Sequence, residues 1–156
     1  MSQAWTWTNE TKIPSDTKQG RAVLDELLSQ LQRHEWAEHD VFGVHLAVEE
    51  ALVNAIRHGN QNDPSKNVEV KCHMTSERLR VEIADEGTGF DPEDVPDPTA
   101  EENLEIPSGR GIMLMRTYMS FVEYNEVGNR VVMEKNAGEW PDDDDDDDDL
   151  FGDDDD

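Results

Sequence analysis

The most informative stretch of the chain is residues 49–60, which reads Glu-Glu-Ala-Leu-Val-Asn-Ala-Ile-Arg-His-Gly-Asn. It continues an apolar stripe at helical spacing that consists of Val41, Val44, Val48, Leu52 and Ala55. Other apolar residues lie towards the opposite side, and a helix that is apolar on more than one face is usually buried. The pattern predicts a buried helix that Asp40 caps and that ends near His58, before Gly59.

Glu50 and Asn54 lie four residues apart in this helix and therefore on the same side of it. A carboxylate and an amide among apolar neighbours need polar partners. Taken alone, the two residues are better explained as a solvent-facing polar strip or as a structural pair whose hydrogen bonds are satisfied.

Two glycine-containing segments further along the chain are equally ambiguous when each is taken alone. Asp85-Glu86-Gly87-Thr88-Gly89 follows a predicted strand; its glycines permit a tight turn, and its first carboxylate can accept a hydrogen bond from an amino group such as that of adenine. Gly109-Arg110-Gly111 opens a predicted helix, where unoccupied N–H groups attract phosphate. Such segments are also common in ordinary turns and helix starts.

The three segments in this order resemble the nucleotide-binding motifs of GHKL ATPases, which have the Bergerat fold. Residues 49–60 resemble the N box of that family, residues 85–90 its G1 box, and residues 108–116 (Ser-Gly-Arg-Gly-Ile-Met-Leu-Met-Arg) its G2 box. In form, all three are similar to the anti-sigma-factor serine kinases of bacterial partner-switching systems. The resemblance covers about residues 15–135.

The resemblance implies ATP and Mg²⁺ as ligands and assigns the chemistry to the N box. Asn54 would help to hold Mg²⁺, which bridges the ATP phosphates. Glu50 would be the general base that accepts the proton of the attacking hydroxyl. Phosphoryl transfer needs mainly positioning and neutralisation of the phosphate charge, and these residue types fit that need.

The same resemblance assigns nucleotide binding to the two glycine-containing segments. Asp85 would bind the adenine amino group, and the glycines would shape the adenine pocket and meet the phosphates. The residues concerned are Gly87 and Gly89 for the pocket, and Gly109, Arg110 and Gly111 for the phosphates. Residues 91–108, a long segment with four prolines and many acids, would form a lid over ATP.

Two positions depart from the family pattern. Some of these kinases carry an arginine just before the Ser-Gly of the G2 box, where this chain has Pro107, and Arg110 could substitute for it. Many relatives have an aspartate after the following helix, where this chain has Ser120. We expect nucleotide binding to survive both changes, which bear instead on partner choice and on the rate of phosphoryl transfer.

Alternating and helical patterns predict the remaining elements. Strands are expected at residues 4–8, 68–74, 79–83, 121–125 and 130–135, and helices from about 14 to 37 and from 109–111 to Met119. One sheet with its helices on one face is an α+β two-layer sandwich, and the resemblance implies a mixed, mostly antiparallel sheet. We expect one domain at residues 1–137 and a disordered poly-Asp tail at residues 138–156.

Charge and composition limit the classes of partner. The chain has 38 acidic residues against 13 Lys and Arg, and removing the twelve Asp of its last fifteen residues still leaves 26 acidic residues against those 13. Such a surface disfavours direct nucleic-acid binding and suits a partner with a basic face. The single cysteine, Cys72, excludes an internal disulfide. With no membrane-length apolar run and no signal-peptide pattern, the cytoplasm is the expected location.

Two functions remain open at this point. The first is a serine/threonine kinase that phosphorylates a serine of a STAS-type anti-anti-sigma protein and so controls a sigma factor. The second is a non-catalytic module that sequesters a partner in an ATP-dependent way. Intact Glu50 favours the kinase. Trp5 and Trp7 are expected on one face of the first strand, where they either pack in the core or at its edge, or form a homodimer contact.

Overall fold

The computed structural model describes residues 4–87 and 109–139. Their elements in chain order are β1 (Trp7–Pro14), α1 (Thr17–Arg33), α2 (Glu38–Val53), a π-helix (Asn54–Gly59), β2 (Asn67–Met74), β3 (Arg78–Ala84), α3 (Gly109–Tyr118), β4 (Phe121–Tyr124) and β5 (Arg130–Asn136). The predicted lid at residues 91–108, with Pro107, lies outside the described residues, as do Gly89 and the tail from residue 140.

The five strands form one sheet in the order β1-β2-β3-β5-β4. Every pairing among the described strands is antiparallel, where the resemblance implied a mixed sheet. In β2, β3 and β5 alternate residues are buried, because successive side chains of a strand point to opposite faces. The buried face packs against the helices, which confirms the predicted α+β two-layer sandwich.

Helix α2 occupies the centre of the helical layer. It contacts α1, α3 and β3, and its residues Val44, Ala47 and Val48 are almost completely buried. Helix packing on two sides and a sheet beneath explain why its sequence is apolar on more than one face. Helix α2 therefore has neighbouring elements on several sides along its length.

Helix α1 ends earlier than predicted, at Arg33 instead of about residue 37. Glu35 has a φ of 65°, in the left-handed region that stops a right-handed helix. Trp36 is buried, and its Nε1 donates a hydrogen bond to the carbonyl of Thr75 at 3.0 Å. Anchoring this tryptophan in the core turns the chain out of α1 and towards α2.

Asp40 is not the cap of α2, so that prediction was wrong. The helix begins at Glu38 with Ala37 before it, and Asp40 is only 2% exposed. Its Oδ2 accepts a hydrogen bond from the N–H of Gly138 at 2.8 Å, and its Oδ1 lies 3.8 Å from Nζ of Lys135. Lys135 is 0% exposed, and its Nζ also donates to the carbonyl of Glu139. This Asp40–Lys135 pair holds Gly138 and Glu139, which the sequence assigned to the tail, against α2.

The outer face of the sheet carries a ladder of charged side chains, and the described helices all lie on the opposite face. Arg78 and Arg80 both pair with Glu134, at 3.2 and 2.6 Å. Trp5 precedes β1, and its ring lies tilted at 52° against His73 of this face, whereas Trp7 packs partly against the core. The two tryptophans therefore do not share one face. Crossing a bilayer would need a longer and more apolar helix than any in the described part.

Candidate functional site

The N-box helix does not remain an α-helix to its predicted end near His58. At Asn54 it widens into a π-helix that ends at Gly59, and the N–H of Asn60 donates to the carbonyl of Ala55 at 2.9 Å. Wide turns of this kind are rare and are frequent at functional sites. The widened turn begins at Asn54, one of the two polar residues that the sequence singled out.

The start of α3 lies directly against Glu50 and Asn54. A Cβ placed on Gly111 would come within 2.6 Å of Oε1 of Glu50 and 3.8 Å of Nδ2 of Asn54. A side chain at position 111 would therefore displace the Glu50 carboxylate, so the glycine lets Glu50 lie against the start of α3. Gly109 and Arg110 belong to the same first turn of α3. The fold thus brings the N-box residues and the glycine-rich helix start into contact.

Asn54 is buried without a complete set of partners. It is 8% exposed, and its Nδ2 makes no hydrogen bond of normal geometry to any group in residues 4–87 and 109–139. A buried amide left unpaired costs about 1–3 kcal/mol, so folded proteins keep few of them. An unpaired amide facing a glycine helix start is the kind of group that a bound ligand would satisfy.

Asp85 follows β3 and reaches the other side of the π-helix. Its carboxyl group packs so closely on Gly59 that a Cβ there would overlap it. Its Oδ1 accepts a hydrogen bond from the N–H of Gly87 at 2.7 Å. The carboxylate that we predicted to bind adenine is therefore in direct contact with the end of the N box.

Burial shifts the protonation of Asp85. Desolvation raises its pKa to about 6, against the smaller lowering effects of the Gly87 N–H and of Lys66. At neutral pH the group remains mainly ionised, and a carboxylate with a raised pKa binds a donor more readily because it is less well solvated. Asp85 is thus a partly buried acceptor, which suits the amino group of a base.

Two asparagines that the sequence reading assigned no role hold the Asp85 turn in place. Asn60 is completely buried, and its Oδ1 accepts from the N–H of Glu86 at 2.8 Å. Asn129 donates from Nδ2 to the carbonyl of Gly87 at 3.2 Å, and its own carbonyl accepts from the N–H of Asp85. The position of Asn60 at the end of the predicted N box could have indicated its role. Asn129 follows Gly128 in a turn, and nothing in the sequence distinguishes it from an ordinary turn residue.

Tyr124 is a further site residue that the sequence reading missed. Its hydroxyl donates to Sδ of Met115 at 3.8 Å. Burial raises the pKa of Tyr124 to about 12, the Asn54 side chain and Arg116 lower it, and the Asp85 and Glu50 carboxylates raise it. The contact with Met115 places the hydroxyl against α3, one helical turn after Gly111. The sequence predicted only that Tyr124 lies in a strand with alternating burial, and it did not predict the contact with α3.

The residues present fit a nucleotide with a divalent cation. Residues 4–87 and 109–139 contain no cluster of three or more His, Cys, Asp or Glu side chains that could hold a metal by themselves. Mg²⁺ in phosphoryl-transfer sites takes one or two protein ligands and completes its shell with phosphate oxygens and water. The unpaired amide of Asn54 beside Glu50 and the α3 start matches that sparse type of site.

Comparison with known proteins agrees with this geometry. Residues 13–135 match the family model described as "Histidine kinase-like ATPase domain". The chain is 33% identical over 98 residues to a protein named Anti-sigma F factor from Oceanobacillus iheyensis, covering 59% of this chain and 66% of that relative. It is 29% identical over 133 residues to Serine-protein kinase RsbW of Bacillus subtilis, covering 81% of this chain and 83% of that one.

A solved structure shares the fold. The crystal structure of the RsbU and RsbW domains of Rv1364c from Mycobacterium tuberculosis superposes with a TM-score of 0.59 at 15% sequence identity. The match covers 85% of this chain and 33% of that one, so the chain corresponds to about one third of the solved protein.

Proposed function

The chain belongs to the family of histidine kinase-like ATPase domains, in the branch of the anti-sigma-factor kinases, and we propose that it binds Mg²⁺-ATP and phosphorylates a serine of a STAS-domain anti-anti-sigma protein. The observation that supports this most is the contact of Gly111 with Glu50 and Asn54. It places a carboxylate, a buried amide and a helix start at one point, which are the groups that phosphoryl transfer requires.

Each of these groups has a separate task in the proposed reaction. Asp85 would accept a hydrogen bond from the adenine amino group, and the first turn of α3, which begins at Gly109, would bind the phosphates. Asn54 provides an amide ligand for the cation. When bound, ATP supplies the phosphoryl group and Mg²⁺ neutralises part of its charge.

Glu50 is the proposed general base. It lies half-buried on α2, and its carboxylate is next to Gly111 at the start of α3. A carboxylate there takes up the proton that the serine hydroxyl loses as it becomes phosphorylated. An amide in the same place would fill the same volume but could not accept the proton.

The relatives' names and the charge of the chain support the proposed partners. Anti-sigma F factor and Serine-protein kinase RsbW are names for proteins that act on a sigma factor or on a protein serine. A chain with 38 acidic and 13 basic residues favours partners with basic surfaces through long-range attraction. We therefore include a sigma factor as a second partner of this chain.

The second candidate function is sequestration without phosphoryl transfer. Ser120, where many relatives have an aspartate, has a structural role here, because its Oγ accepts from the N–H of Asn136 at 3.0 Å. This hydrogen bond ties the chain after α3 to the end of β5. In this alternative, ATP binding alone would control the affinity for the partner.

Glu50→Gln tests the kinase proposal. Binding of Mg²⁺-ATP should persist, and transfer of labelled phosphate to the STAS-domain protein of the same genome should fall roughly 10²- to 10⁴-fold. Glu49→Gln is the matched control, because the neighbouring Glu49 pairs with His45, at 3.5 Å. It should transfer phosphate at the wild-type rate.

Three results would contradict the proposal in different ways. Equal rates for Glu50→Gln and wild type would remove Glu50 as the base. Wild-type protein that binds Mg²⁺-ATP and the STAS-domain protein without transferring phosphate would favour sequestration. Wild-type protein that shows no nucleotide binding at millimolar ATP would overturn both functions.

A further inference from the structure

Strand β1 forms one edge of the sheet. Among residues 4–87 and 109–139, β2 is the only strand that pairs with it, so one side of its backbone has no strand beside it. The strand is eight residues long, from Trp7 to Pro14. Edge strands present a row of N–H and C=O groups that can pair with another chain. The open side of β1 is therefore a surface to which a further strand can be added.

The outer face of the sheet alternates in charge from strand to strand at this edge. Glu10 of β1 lies opposite Lys71 of β2, and Lys71 lies opposite Glu82 of β3. Lys12 of β1 lies opposite Glu69 of β2, with Nζ and Oε2 3.9 Å apart. Opposite charges in register across two strands stabilise their pairing. Both rows end at β1, one on an acid and the other on a base two residues further along.

A second copy of the chain continues both rows in one antiparallel register only. Directly opposite residues of an antiparallel pair lie on the same face of the sheet, so Glu10 must face an outward residue of the other copy. The outward residues of β1 are Thr8, Glu10, Lys12 and Pro14. With Thr11 opposite Thr11 of the second copy, Glu10 of each copy faces Lys12 of the other. A shift of two residues instead places Glu10 on Glu10 or Lys12 on Lys12.

This edge is balanced in charge although the chain as a whole is acidic. With 38 acidic and 13 basic residues, two copies repel each other at long range. The charged side chains of β1 and β2 on the outer face are two acids and two bases, namely Glu10, Glu69, Lys12 and Lys71. Salt screens interactions between exposed charges beyond about 8 Å at physiological ionic strength. Under those conditions a second copy meets a neutral edge and not the net charge of the chain.

We propose that two copies of this chain associate through β1, in antiparallel register about Thr11, so that their two five-stranded sheets become one continuous sheet. The register uses residues 8–14 of each strand, which is all of β1 except Trp7. The two-fold axis is perpendicular to the sheet, so the helical layers of both copies lie on the same side. The dimer does not depend on the proposed kinase activity, because none of its pairing residues belongs to the candidate nucleotide site.

Charge reversals test this register. Lys12→Glu and Glu10→Lys each turn both opposite-charge contacts of the dimer into like-charge contacts, because the two-fold symmetry doubles every change. Sedimentation equilibrium of the full chain at physiological salt should show a dimer for the wild type. Each single reversal should raise the dissociation constant roughly 10-fold or more. The double variant, with both reversals in one chain, restores both contacts and should dimerise within about 3-fold of the wild type.

Lys18→Glu is the matched control for Lys12→Glu, since it makes the same change of net charge at an exposed residue of α1. It should dimerise as the wild type does, and circular dichroism should show that all variants are folded. A wild type that stays monomeric would overturn the proposal, and so would single reversals that dimerise as Lys18→Glu does. A folded double variant that does not recover would overturn the register.

Cysteine cross-linking measures the same register without changing charge. Thr11→Cys places a thiol on the symmetry axis, opposite the same thiol of the second copy, so oxidation should give a disulfide-linked dimer. Thr8→Cys is the control, because its two thiols would lie about 20 Å apart at about 3.4 Å per residue. Cys72 does not compete, since it is buried and burial raises its pKa to about 12. Equal cross-linking of both variants would indicate a different contact and would overturn the proposal.

Discussion

The two ends of α2 differ in whether a buried polar side chain has a charged partner. At the N-terminal end, Oδ2 of Asp40 accepts from the N–H of Gly138, and Nζ of Lys135 donates to the carbonyl of Glu139. Oδ1 of Asp40 makes no hydrogen bond within the described residues, but it lies 3.8 Å from the Lys135 cation. At the C-terminal end, Asn54 is buried without a hydrogen bond for its Nδ2. Burying a polar group costs free energy unless a partner compensates. The comparison indicates that the first end serves stability and the second is kept for a ligand.

The backbone differs in the same sense. The N-terminal end is a regular α-helix, and the acidic side chains in its first turn are favoured by the helix dipole. The C-terminal end widens into the π-helix at the residue whose amide is unpaired. Irregular backbone and an unsatisfied side chain at one point are both costs, and their coincidence is expected where function and not stability is selected.

Removing one member of the Asp40–Lys135 pair should have the largest effect. Lys135→Met keeps most of the length of the side chain but leaves the Asp40 charge buried without its cation, which should lower the free energy of unfolding by about 3–5 kcal/mol. Adding Asp40→Asn to the same chain should recover much of this loss, because no buried charge then remains. Urea unfolding measures both.

The exposed pair of Lys12 and Glu69 provides the control. Their side chains are 61% and 44% exposed, with Nζ and Oε2 3.9 Å apart, so Lys12→Met should change stability by less than about 1 kcal/mol. If Lys135→Met lowers the free energy of unfolding no more than Lys12→Met does, the Asp40–Lys135 pair does not stabilise the N-terminal end of α2.

Substitution of Asp85 should affect ATP binding and not lower stability. Asp85→Asn should weaken ATP binding by roughly 1.5–3 kcal/mol, because a charged acceptor is lost. Wild-type affinity should fall as the pH drops through about 6, where the carboxyl group takes up a proton, and the variant should lack this step. Asp63→Asn, at an exposed loop carboxylate that accepts from Ser65, should bind ATP as the wild type does.

The raised pKa of Asp85 also makes the free energy of unfolding depend on pH. Because folding raises the pKa of Asp85 from 3.8 to about 6, its ionisation opposes folding. The cost is absent below pH 3.8 and complete above about pH 6. Asp85→Asn should therefore be more stable than the wild type at pH 7 while it binds ATP less well. Lower stability together with unchanged ATP affinity would place Asp85 among the structural residues.

Patterns that repeat along the chain were enough to predict the layers of the fold. Helical spacing predicted α2, and strict alternation predicted the strands at residues 68–74 and 79–83, which are β2 and β3. These signals are reliable because burial acts on every second residue of a strand and on one stripe of a helix. The two glycine-containing segments were ambiguous when each was taken alone, and they became informative only in combination with residues 49–60, through the resemblance to a family.

Features that depend on distant partners could not be predicted. Asp40 looked like a helix cap because aspartate is common at helix starts, and its partner Lys135 comes from the last strand. The π-helix has the same composition as an α-helix, so periodicity does not reveal it. Tyr124 looked like any inward strand residue until the sheet brought its hydroxyl to Met115 of α3.

The most direct test of the comparison is to measure stability and Mg²⁺-ATP affinity together in Asn54→Leu. Leucine has the same branching at Cγ, is somewhat larger and has no polar group, so removing the unpaired amide should leave the free energy of unfolding unchanged or raise it by about 1 kcal/mol. Binding of Mg²⁺-ATP should be lost or greatly weakened in the same variant. A variant that loses several kcal/mol of stability, yet binds Mg²⁺-ATP as the wild type does, would show that Asn54 serves the fold and would contradict the account.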